Sequence, residues 1–385
     1  MENNHSSGKY RSILNLIFFL FFLYLFFVSI ELMGAGFKGF GRGFAEQLIA
    51  TTSNPFVGLF IGLLATSIVQ SSSLTTSIVV GMVASGTITI QNSIPFVMGA
   101  NIGTTITNII VAMGHITRKN EFRRAFAAAT VHDFFNMLAV ATLMPLHLIT
   151  QHIWGKGILQ IVPEALANVF ENTVGLKFSS PLKIIVKPAL DLLYVKAFPA
   201  ILSPFFDKSH NIALAVFTLI VSLGLLFLAL IFMVKFMRAT IMDKVENLFD
   251  SYIFKTPIRG FAVGTVLTAT IQSSSATTSL VVPLVATGVL KIEQIFPYDL
   301  GANVGTTITA ILASLVTGSK LAITVAFAHL CFNIFGALIW YPLRVVPITL
   351  ANKLAELSIK SKIYAFLFVF GIFFVMPGLL ILLTR

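Results

Sequence analysis

The tetrapeptide Gln-Ser-Ser-Ser occurs twice in this 385-residue chain, at residues 70–73 and 272–275. Both copies lie inside long apolar stretches, and a Thr-Thr-Ser run follows each of them, at residues 75–77 and 277–279. Polar side chains are costly in hydrocarbon, so they persist there mainly where they face protein, water or a ligand. Two nearly identical runs 202 positions apart therefore predict duplicated halves that build one binding site between them.

The polar groups around these runs are neutral. No Asp, Glu, Lys or Arg occurs in residues 47–117, 260–290 or 300–319. Hydroxyl, amide and carbonyl oxygens suit a hard cation such as sodium, whereas hydroxyls and the amides at helix N-termini suit an oxyanion. Because an anion buried without a countercharge is very unfavourable, we expect one site to bind an anion together with sodium. Each ion would then favour the binding of the other.

The composition is that of an integral membrane protein. Hydrophobic residues make up 56% of the chain and charged residues 11%, whereas about a quarter of the residues in soluble domains are charged. The net charge of +11 therefore indicates cytoplasmic loops rather than nucleic-acid binding. The single cysteine, Cys331, excludes an intramolecular disulfide.

Seven apolar segments approach the length of about 20 residues that a membrane-spanning helix needs. They are residues 13–30, 91–114, 121–149, 211–236, 294–317, 320–348 and 361–384. The first segment is long for a signal peptide and has no small-residue cleavage site behind it, so we interpret it as a retained transmembrane helix.

An internal repeat organises the chain. Residues 56–109 align without a gap with residues 258–311, including GANIGTT at 99–105 and GANVGTT at 301–307. After a five-residue shift, two His and two Asn residues also match. The predicted domains are a first repeat at 1–149, a connector at 150–210, a second repeat at 211–348 and a C-terminal helix at 349–385.

The segments that carry the Gln-Ser-Ser-Ser runs, 55–88 and 257–290, are too polar at their centres for uninterrupted helices facing lipid. We predict a re-entrant helical hairpin in each, with the tetrapeptide near the tip, and a broken helix at each GAN(I/V)GTT run. Each half then crosses the membrane three times, so the two repeats have inverted topology. The basic residues place the N-terminus in the cytoplasm and the connector outside.

Other polar residues are weaker candidates. The matched pairs at four-residue spacing could form a second polar layer or simply bond neighbouring helices; they are His132 with Asn136 and His329 with Asn333. Asp133 and Asp299 are the acidic residues nearest the polar core, and we expect helix-boundary positions for them rather than a role as cation or proton ligands.

At these residues the chain resembles the type II sodium-dependent phosphate cotransporter family. The resemblance rests on the paired Gln-Ser-Ser-Ser runs, the inverted repeats, the hairpins and the stretch EFRRAFAAATVHDFFN at 121–136. It implies inorganic phosphate as substrate, sodium as the co-transported ion, no organic cofactor and a homodimer. The phosphate ligands that it implies are Gln70, Ser71, Ser72, Ser73, Gln272, Ser273, Ser274 and Ser275. The sodium ligands are Thr75, Asn101, Thr104, Thr105, Thr277, Asn303, Thr306 and Thr307.

The expected function is sodium-coupled symport of phosphate across the plasma (inner) membrane. A transporter of another small oxyanion, such as sulfate or a carboxylate, and an ion channel with a hydroxyl-lined filter remain as alternatives. An intramembrane hydrolase is a further class, but the serines lack a poised base and the glycines of a nucleophile elbow. We therefore expect no enzymatic activity, and partners limited to the two ions, the lipid bilayer and a second copy of the chain.

Overall fold

The computed structural model describes residues 2–174, 181–203, 211–245 and 253–384, and within these ranges it contains helices and turns but no β-strand. The all-α prediction is confirmed. The helices of the first half are α1 (Glu2–Gly39), α2 (Arg42–Thr51), α3 (Pro55–Val69), α4 (Ser72–Ser85), α5 (Ile90–Gly103), α6 (Ile106–Met113) and α7 (Lys119–Trp154).

The rest of the described chain is also helical. The connector contributes α8 (Ile158–Val174), α9 (Pro181–Leu190) and α10 (Phe198–Leu202), with a π-helical segment between the last two. The helices of the second half are α11 (Asn211–Val245), α12 (Pro257–Ile271), α13 (Ser274–Thr278), α14 (Val281–Thr287), α15 (Ile292–Thr317), α16 (Lys320–Trp340), α17 (Val345–Lys360), α18 (Ile363–Phe370) and α19 (Met376–Thr384).

Seven helical segments of the described chain are long and apolar enough to cross a membrane, and they coincide with the seven predicted segments. They are residues 12–39, 90–113, 119–154, 212–240, 292–317, 320–340 and 363–383. Large apolar side chains on α1, α11 and α18 stay exposed, as lipid-facing side chains do. The chain is therefore a multi-pass membrane protein. The sidedness of its loops stays a prediction.

The two predicted hairpins are helix–break–helix units with the same local geometry. In the first, Thr66 donates a hydrogen bond from Oγ1 to the hydroxyl of Thr75 (2.9 Å), which joins the two arms side by side. The corresponding hydroxyls of Thr268 and Thr277 lie 2.6 Å apart in the second. The repeat is thus visible at the level of single hydrogen bonds, while its domain boundaries and inverted orientation stay predictions.

Glycine pairs let the first arm of each hairpin touch the backbone of the helix that follows the hairpin. A Cβ atom on Gly99 of α5 would lie 1.9 Å from the carbonyl oxygen of Leu59 in α3, and one on Gly301 of α15 would lie 2.0 Å from that of Phe261 in α12. Facing glycines at four-residue spacing allow helices in membranes to approach this closely. The glycines of the GAN(I/V)GTT runs are therefore packing residues.

The helix break at the second GAN(I/V)GTT run was predicted wrongly. The first run is broken, because α5 ends at Gly103 and α6 begins at Ile106, but α15 passes through the second run without interruption. At the break, the Ser275 hydroxyl donates to the carbonyl of Thr104 (3.1 Å). The backbone N–H of Asn108, which would bond to that carbonyl in a continuous helix, donates to the carbonyl of Thr105 (3.0 Å). The side chain of Ser275, from the other half, thus bonds to a carbonyl that would accept an intrahelical hydrogen bond in a continuous helix.

Two further differences from the sequence prediction lie in the second half. The outgoing arm of the second hairpin is split between α13 and α14, because Pro283 has no N–H to donate to the carbonyl of Ser279. The C-terminal region predicted as one helix at 349–385 is divided, since Ser361 is extended (φ −149°) between α17 and α18, and a π-helical segment joins α18 to α19. Helix α7 also continues to Trp154, into the predicted connector.

The first helices of the two halves pack along each other. The Phe22 and Phe232 rings stack with centroids 4.8 Å apart, and Phe18 and Phe236 stack at the same distance. Aromatic pairs in this offset arrangement add about 0.5–1.5 kcal/mol to the area that they bury. Helices α1 and α11 therefore form one structural unit beside the hairpins, and α11 supplies one wall of the candidate site.

Candidate functional site

Each Gln-Ser-Ser-Ser run begins with a glutamine in a left-handed backbone conformation. Gln70 (φ 57°, ψ 29°) ends α3, and Gln272 (φ 64°, ψ 24°) ends α12. Within the described ranges they are the only non-glycine residues with positive φ. This conformation costs a non-glycine residue about 1–2 kcal/mol, and such strain tends to be kept at functional sites.

The serine after each glutamine starts the outgoing arm. Ser71 is extended, and its hydroxyl accepts a hydrogen bond from the amide of Leu74 (3.2 Å), while Ser273 does the same for Ala276 (3.2 Å). The first amides of a helix have no partner inside it. At the tip of the first hairpin, the amides of Ser72 and Ser73, which precede the capped amide of Leu74, can face an anion together with the positive end of the α4 dipole.

The two tips meet each other, although 202 residues separate them in sequence. The Ser73 hydroxyl donates to the backbone carbonyl of Gln272 (3.4 Å) and lies equally far from the hydroxyl of Thr309. Thr309 in turn donates to the side-chain oxygen of Gln272 (2.8 Å). In the described residues, the two Gln-Ser-Ser-Ser runs therefore lie next to each other, as the sequence predicts.

A cavity of about 320 Å³ lies between the tips and α11. It is lined by the polar residues Gln70, Ser71, Ser73, Gln272 and Ser273 and by the apolar residues Val69, Leu74, Phe227, Leu230, Ile231 and Val234. None of these lining residues is charged. Of the eight predicted phosphate ligands, five line this cavity, and Ser72, Ser274 and Ser275 do not.

None of the eight predicted sodium ligands lines the cavity. The hydroxyls of Thr75 and Thr277 close the two hairpins and donate back to the carbonyls of Ser71 (3.2 Å) and Ser273 (3.1 Å). The remaining four threonine hydroxyls donate within their own helices; they belong to Thr104, Thr105, Thr306 and Thr307. Each hydroxyl oxygen keeps a lone pair that a cation can approach.

The second polar layer is a hydrogen-bonded chain that links the halves. Nε2 of His132 lies 2.6 Å from Oδ1 of Asn303, whose Nδ2 donates to Oδ1 of Asn136 (2.8 Å). Asn136 donates to the backbone carbonyl of Asn101 (2.8 Å), and Oδ1 of Asn101 lies 3.3 Å from Nε2 of His329. The two contacts between a histidine and the opposite asparagine are reciprocal, as in a two-fold arrangement.

The fourth candidate of this layer, Asn333, is not part of that chain. Its Nδ2 donates to the carbonyl of His329 on its own helix (3.1 Å), and its buried Oδ1 has no partner among the described residues. Three of the four candidates therefore join helices, in agreement with the interpretation as interhelical bonds.

The sequence did not indicate how deeply two acidic residues are buried. Asp133 on α7 is 0% exposed and Asp299 on α15 is 2% exposed, so the helix-boundary interpretation was wrong for both. Neither carboxylate oxygen of Asp133 has a hydrogen-bond partner among the described residues. Since a buried charge normally requires a partner, Asp133 is a candidate cation ligand.

Two threonines that contact the glutamines of the tips were also missed. Thr107 donates to the side-chain oxygen of Gln70 (3.5 Å), as Thr309 does to that of Gln272. Both lie 37 residues after their glutamine. The gapless alignment of the two repeats pairs Thr107 with Thr309. A threonine at both matched positions was therefore the signal in the sequence that could have identified them.

The strain at the tips can be separated from their side-chain chemistry. We expect Gln70→Gly to be more stable than Gln70→Ala by about 1 kcal/mol, because glycine adopts positive φ without the steric penalty. Both variants should transport less, because both remove an amide that lines the cavity. Thermal unfolding of the purified proteins measures the difference, and equal melting temperatures would contradict the strain.

The sequence is similar to that of known proteins. Residues 25–162 and 225–379 match the family described as Na+/Pi-cotransporter. Sodium-dependent phosphate transport protein 2B of Pongo abelii is 34% identical over 96% of this chain and 65% of its own length. The 2A proteins of Rattus norvegicus (34%, over 93% of this chain and 66% of its own) and Mus musculus (33%, 94% and 66%) are similar too.

The chain spans about two thirds of the length of these curated relatives. No solved structure matches it. The family match covers both hairpins, the cavity between their tips and the polar layer beside it. The chain belongs to the Na+/Pi-cotransporter family.

Proposed function

We propose that this protein is a sodium-coupled symporter of inorganic phosphate. The observation that carries the proposal is the cavity where the two tips meet, which hydroxyl and amide groups line on one side and α11 on the other. The relatives named sodium-dependent phosphate transport proteins support the choice of ions. No His, Asp or Glu lines this cavity, so a serine there has no base beside it for hydrolytic chemistry.

Charge balance explains why the two ions travel together. A phosphate anion in a cavity without cationic side chains is stabilised only by hydrogen bonds and the α4 dipole, which do not offset the loss of water around a full charge. Bound sodium supplies the missing positive charge. By linkage, phosphate then raises the affinity for sodium by the factor by which sodium raises the affinity for phosphate.

We assign the tip residues to the anion and the oxygens behind them to sodium. The phosphate would lie against the Ser73 and Ser273 hydroxyls and the amides at the start of α4. The threonine hydroxyls and amide oxygens of the predicted sodium set lie on the helices next to the tips, where their lone pairs face neutral surroundings. These assignments are proposals for mutagenesis.

Alternating access requires contacts that break and re-form. The contacts Ser73–Gln272 and Ser275–Thr104 are single hydrogen bonds of 3.1–3.4 Å between different halves, and each contributes about 1 kcal/mol. The glycine contacts within each half are much tighter. We therefore propose that the hairpin tips separate along this seam while each hairpin moves with the helix that follows it.

The remaining expectations are part of the same proposal. The N-terminus would lie in the cytoplasm and the 150–210 connector outside, in the plasma (inner) membrane. The protein would function as a homodimer in the lipid bilayer. Cysteine accessibility at exposed loop positions in a Cys331→Ser background would test the sidedness, because Cys331 is the only native cysteine.

Radiolabelled phosphate uptake into proteoliposomes tests the function. We expect uphill uptake with an inward sodium gradient and almost none with choline in place of sodium. Competition by sulfate and by carboxylates distinguishes phosphate from another oxyanion. Uptake that never exceeds electrochemical equilibrium would indicate a channel, and uptake independent of sodium would contradict coupling.

Asp133 provides a test of the charge balance. Because its buried carboxylate lacks a partner among the residues that the structure describes, we propose that it helps to bind a transported sodium ion. Asp133→Asn should then lower the sodium ions moved per phosphate by one, and reduce the net charge per transport cycle accordingly. Currents recorded together with phosphate flux give this ratio. The control is Asp191→Asn, an exposed carboxylate, and an unchanged ratio in Asp133→Asn would argue against the assignment.

A further inference from the structure

A buried hydrogen bond between the two halves lies beside the candidate site but outside its lining. Nδ2 of Asn108 in α6 donates to the hydroxyl of Thr278 in α13 (2.9 Å), and Oδ1 of the same amide lies 3.1 Å from that hydroxyl. Asn108 is 2% exposed and Thr278 is 1% exposed, so water does not compete for either group. Neither residue lines the cavity between the tips. The proposed ion sites therefore do not account for this bond.

From Thr278 the link continues to the second Gln-Ser-Ser-Ser run. The Thr278 hydroxyl donates to the backbone carbonyl of Ser274 (2.8 Å), which is the first residue of α13. The neighbouring Ser275 donates to the carbonyl of Thr104 (3.1 Å) at the end of α5. Together these bonds hold the start of α13 against the break between α5 and α6.

Helix α6 lies between two interruptions of the backbone. It has eight residues; the break at 104–105 separates it from α5, and the turns at 114–118 separate it from α7. The equivalent segment of the second half, residues 308–315, is part of the continuous helix α15. A hinge needs only a few residues at the end of an element that absorb a change in φ and ψ. The first half therefore has a hinge position where the second half has an unbroken helix.

The equivalent positions of the other half lack the bond. The alignment of the repeats pairs Asn108 with Ala310 and Thr278 with Thr76. Alanine has no polar side-chain atom, and the Thr76 hydroxyl donates to the carbonyl of Ser72 in its own helix (2.8 Å). Ala310 is 1% exposed and Thr76 is 0% exposed, so the equivalent site is just as dry. The bond is thus specific to the contact of the second tip with α6.

The exposure of the two tips differs in the same way. Gln272 at the second tip is 4% exposed, whereas its counterpart Gln70 at the first tip is exposed. A transporter that gates one repeat against the other has its two equivalent contacts in different states at any moment. The conformation seen here has the second tip covered and the first tip uncovered, and the bond of Asn108 with Thr278 belongs to the covered tip.

We propose that Asn108 and Thr278 form a latch that holds the second tip closed against α6, and that α6 pivots at the break when the tip opens. Both are positioning residues, because they act on the start of α13 and touch neither ion of the proposed site. Since the latch occurs in one half only, it favours one of the two access states. The inference rests on the proposed alternating access. Loss of one neutral hydrogen bond changes the ratio of the two states by about threefold to tenfold.

Distances between spin labels measure the latch without requiring transport. In a Cys331→Ser background, labels at Ile110→Cys on α6 and Val266→Cys on α12 report the separation of α6 from the second hairpin, and both positions are exposed. The full-length protein is measured by pulsed electron paramagnetic resonance in lipid nanodiscs, in buffer free of sodium and phosphate. Thr278→Val removes the hydroxyl and nearly keeps the side-chain volume. We expect it to raise the ratio of long to short label distances by about threefold to tenfold.

Three further variants distinguish a latch from a general effect of the substitution. Thr76→Val, the same change at the repeat counterpart, should leave the distances unchanged, because that hydroxyl bonds only within its own helix. Thr278→Ser should keep the parent distribution, because it keeps the hydroxyl. Asn108→Ala removes the other partner and should match Thr278→Val, and the double variant should add nothing further.

Failure of the latch and failure of the proposed function give different results. If Thr278→Val lengthens the distances while phosphate uptake into proteoliposomes is independent of sodium, the latch stands and the ion coupling is wrong. If Thr278→Val leaves the distances unchanged or shortens them, or if Thr76→Val changes them equally, the latch is overturned whatever the protein transports.

Discussion

Ser73→Ala is expected to lower the apparent affinity for phosphate by about tenfold to a hundredfold, because a hydrogen bond to a charged group contributes about 1.5–3 kcal/mol. The Ser73 hydroxyl lines the cavity and is also the donor to the carbonyl of Gln272 across the seam. Its loss removes a ligand of the anion and a contact that aligns the two tips. Sodium-driven phosphate uptake in proteoliposomes, measured over a range of phosphate concentrations, gives the effect.

A serine elsewhere on the same helix provides the control. Ser85 is at the far end of α4, where its hydroxyl donates to the carbonyl of Met82 (2.8 Å) and contacts Thr87. Ser85→Ala should therefore leave the phosphate affinity unchanged. If both variants lose uptake to the same degree, the effect of Ser73→Ala comes from folding or expression and not from the site.

If both hairpins bind the same anion, a serine of the second tip should matter as much as Ser73. Ser273 lines the same cavity from the other hairpin. Ser273→Ala should thus lower phosphate affinity by a similar factor, and the double variant should lose less than the product of the two factors because both serines contact one ligand. An effect confined to one tip would show that the two hairpins do not share the anion.

The sequence was most informative where polar residues lie in segments that are otherwise apolar enough to cross a membrane. Hydroxyl and amide runs in apolar segments located both tips, and the repeat predicted their meeting, which the contact of Ser73 with Gln272 confirms. Segment length located the seven helical segments of the described chain that are long and apolar enough to cross a membrane. Both inferences depend on the cost of polar groups in hydrocarbon, which is large enough to outweigh local preferences.

Features decided by the packing of one helix on another were not predictable in this way. Asp133 directly follows His132 in sequence, yet the histidine bonds to Asn303 while the carboxylate has no partner within the described ranges, because successive residues on a helix point about 100° apart. The broken α5–α6 helix and the continuous α15 carry nearly the same motif, and the break coincides with the contact that Ser275 of the other half makes with the carbonyl of Thr104. Such contacts between halves are not encoded in the local pattern.

The GAN(I/V)GTT motif has a packing role that the sequence prediction did not include. Its asparagines and threonines suggested sodium ligands, but its glycines have the clearest structural role. In each half, glycines four residues apart lie against the backbone of the hairpin arm, so the motif sets the distance between the hairpin and the helix beside it. Oxygens on the same helix are then held at a fixed distance from the tip.

Gly99→Ala and Gly301→Ala are expected to destabilise the protein by about 3 kcal/mol each, at the upper end of the usual cost of overpacking. The added methyl group would lie 1.9 Å from the Leu59 carbonyl oxygen in the first half and 2.0 Å from that of Phe261 in the second. Relief requires backbone to move away from backbone, because no flexible side chain is available to yield.

Thermal unfolding of the purified proteins and the yield of monodisperse protein measure the loss. Gly34→Ala is the matched control, since this glycine is also in a membrane-spanning helix but has no atom within 4 Å of the added methyl. It should be neutral or slightly stabilising, because alanine favours the helix. If Gly99→Ala melts at the same temperature as Gly34→Ala, α5 does not contact the hairpin arm α3 as closely as described. A loss in both halves, with the control unchanged, would confirm the close packing of each hairpin on the helix that follows it, which the proposal that they move as one body requires.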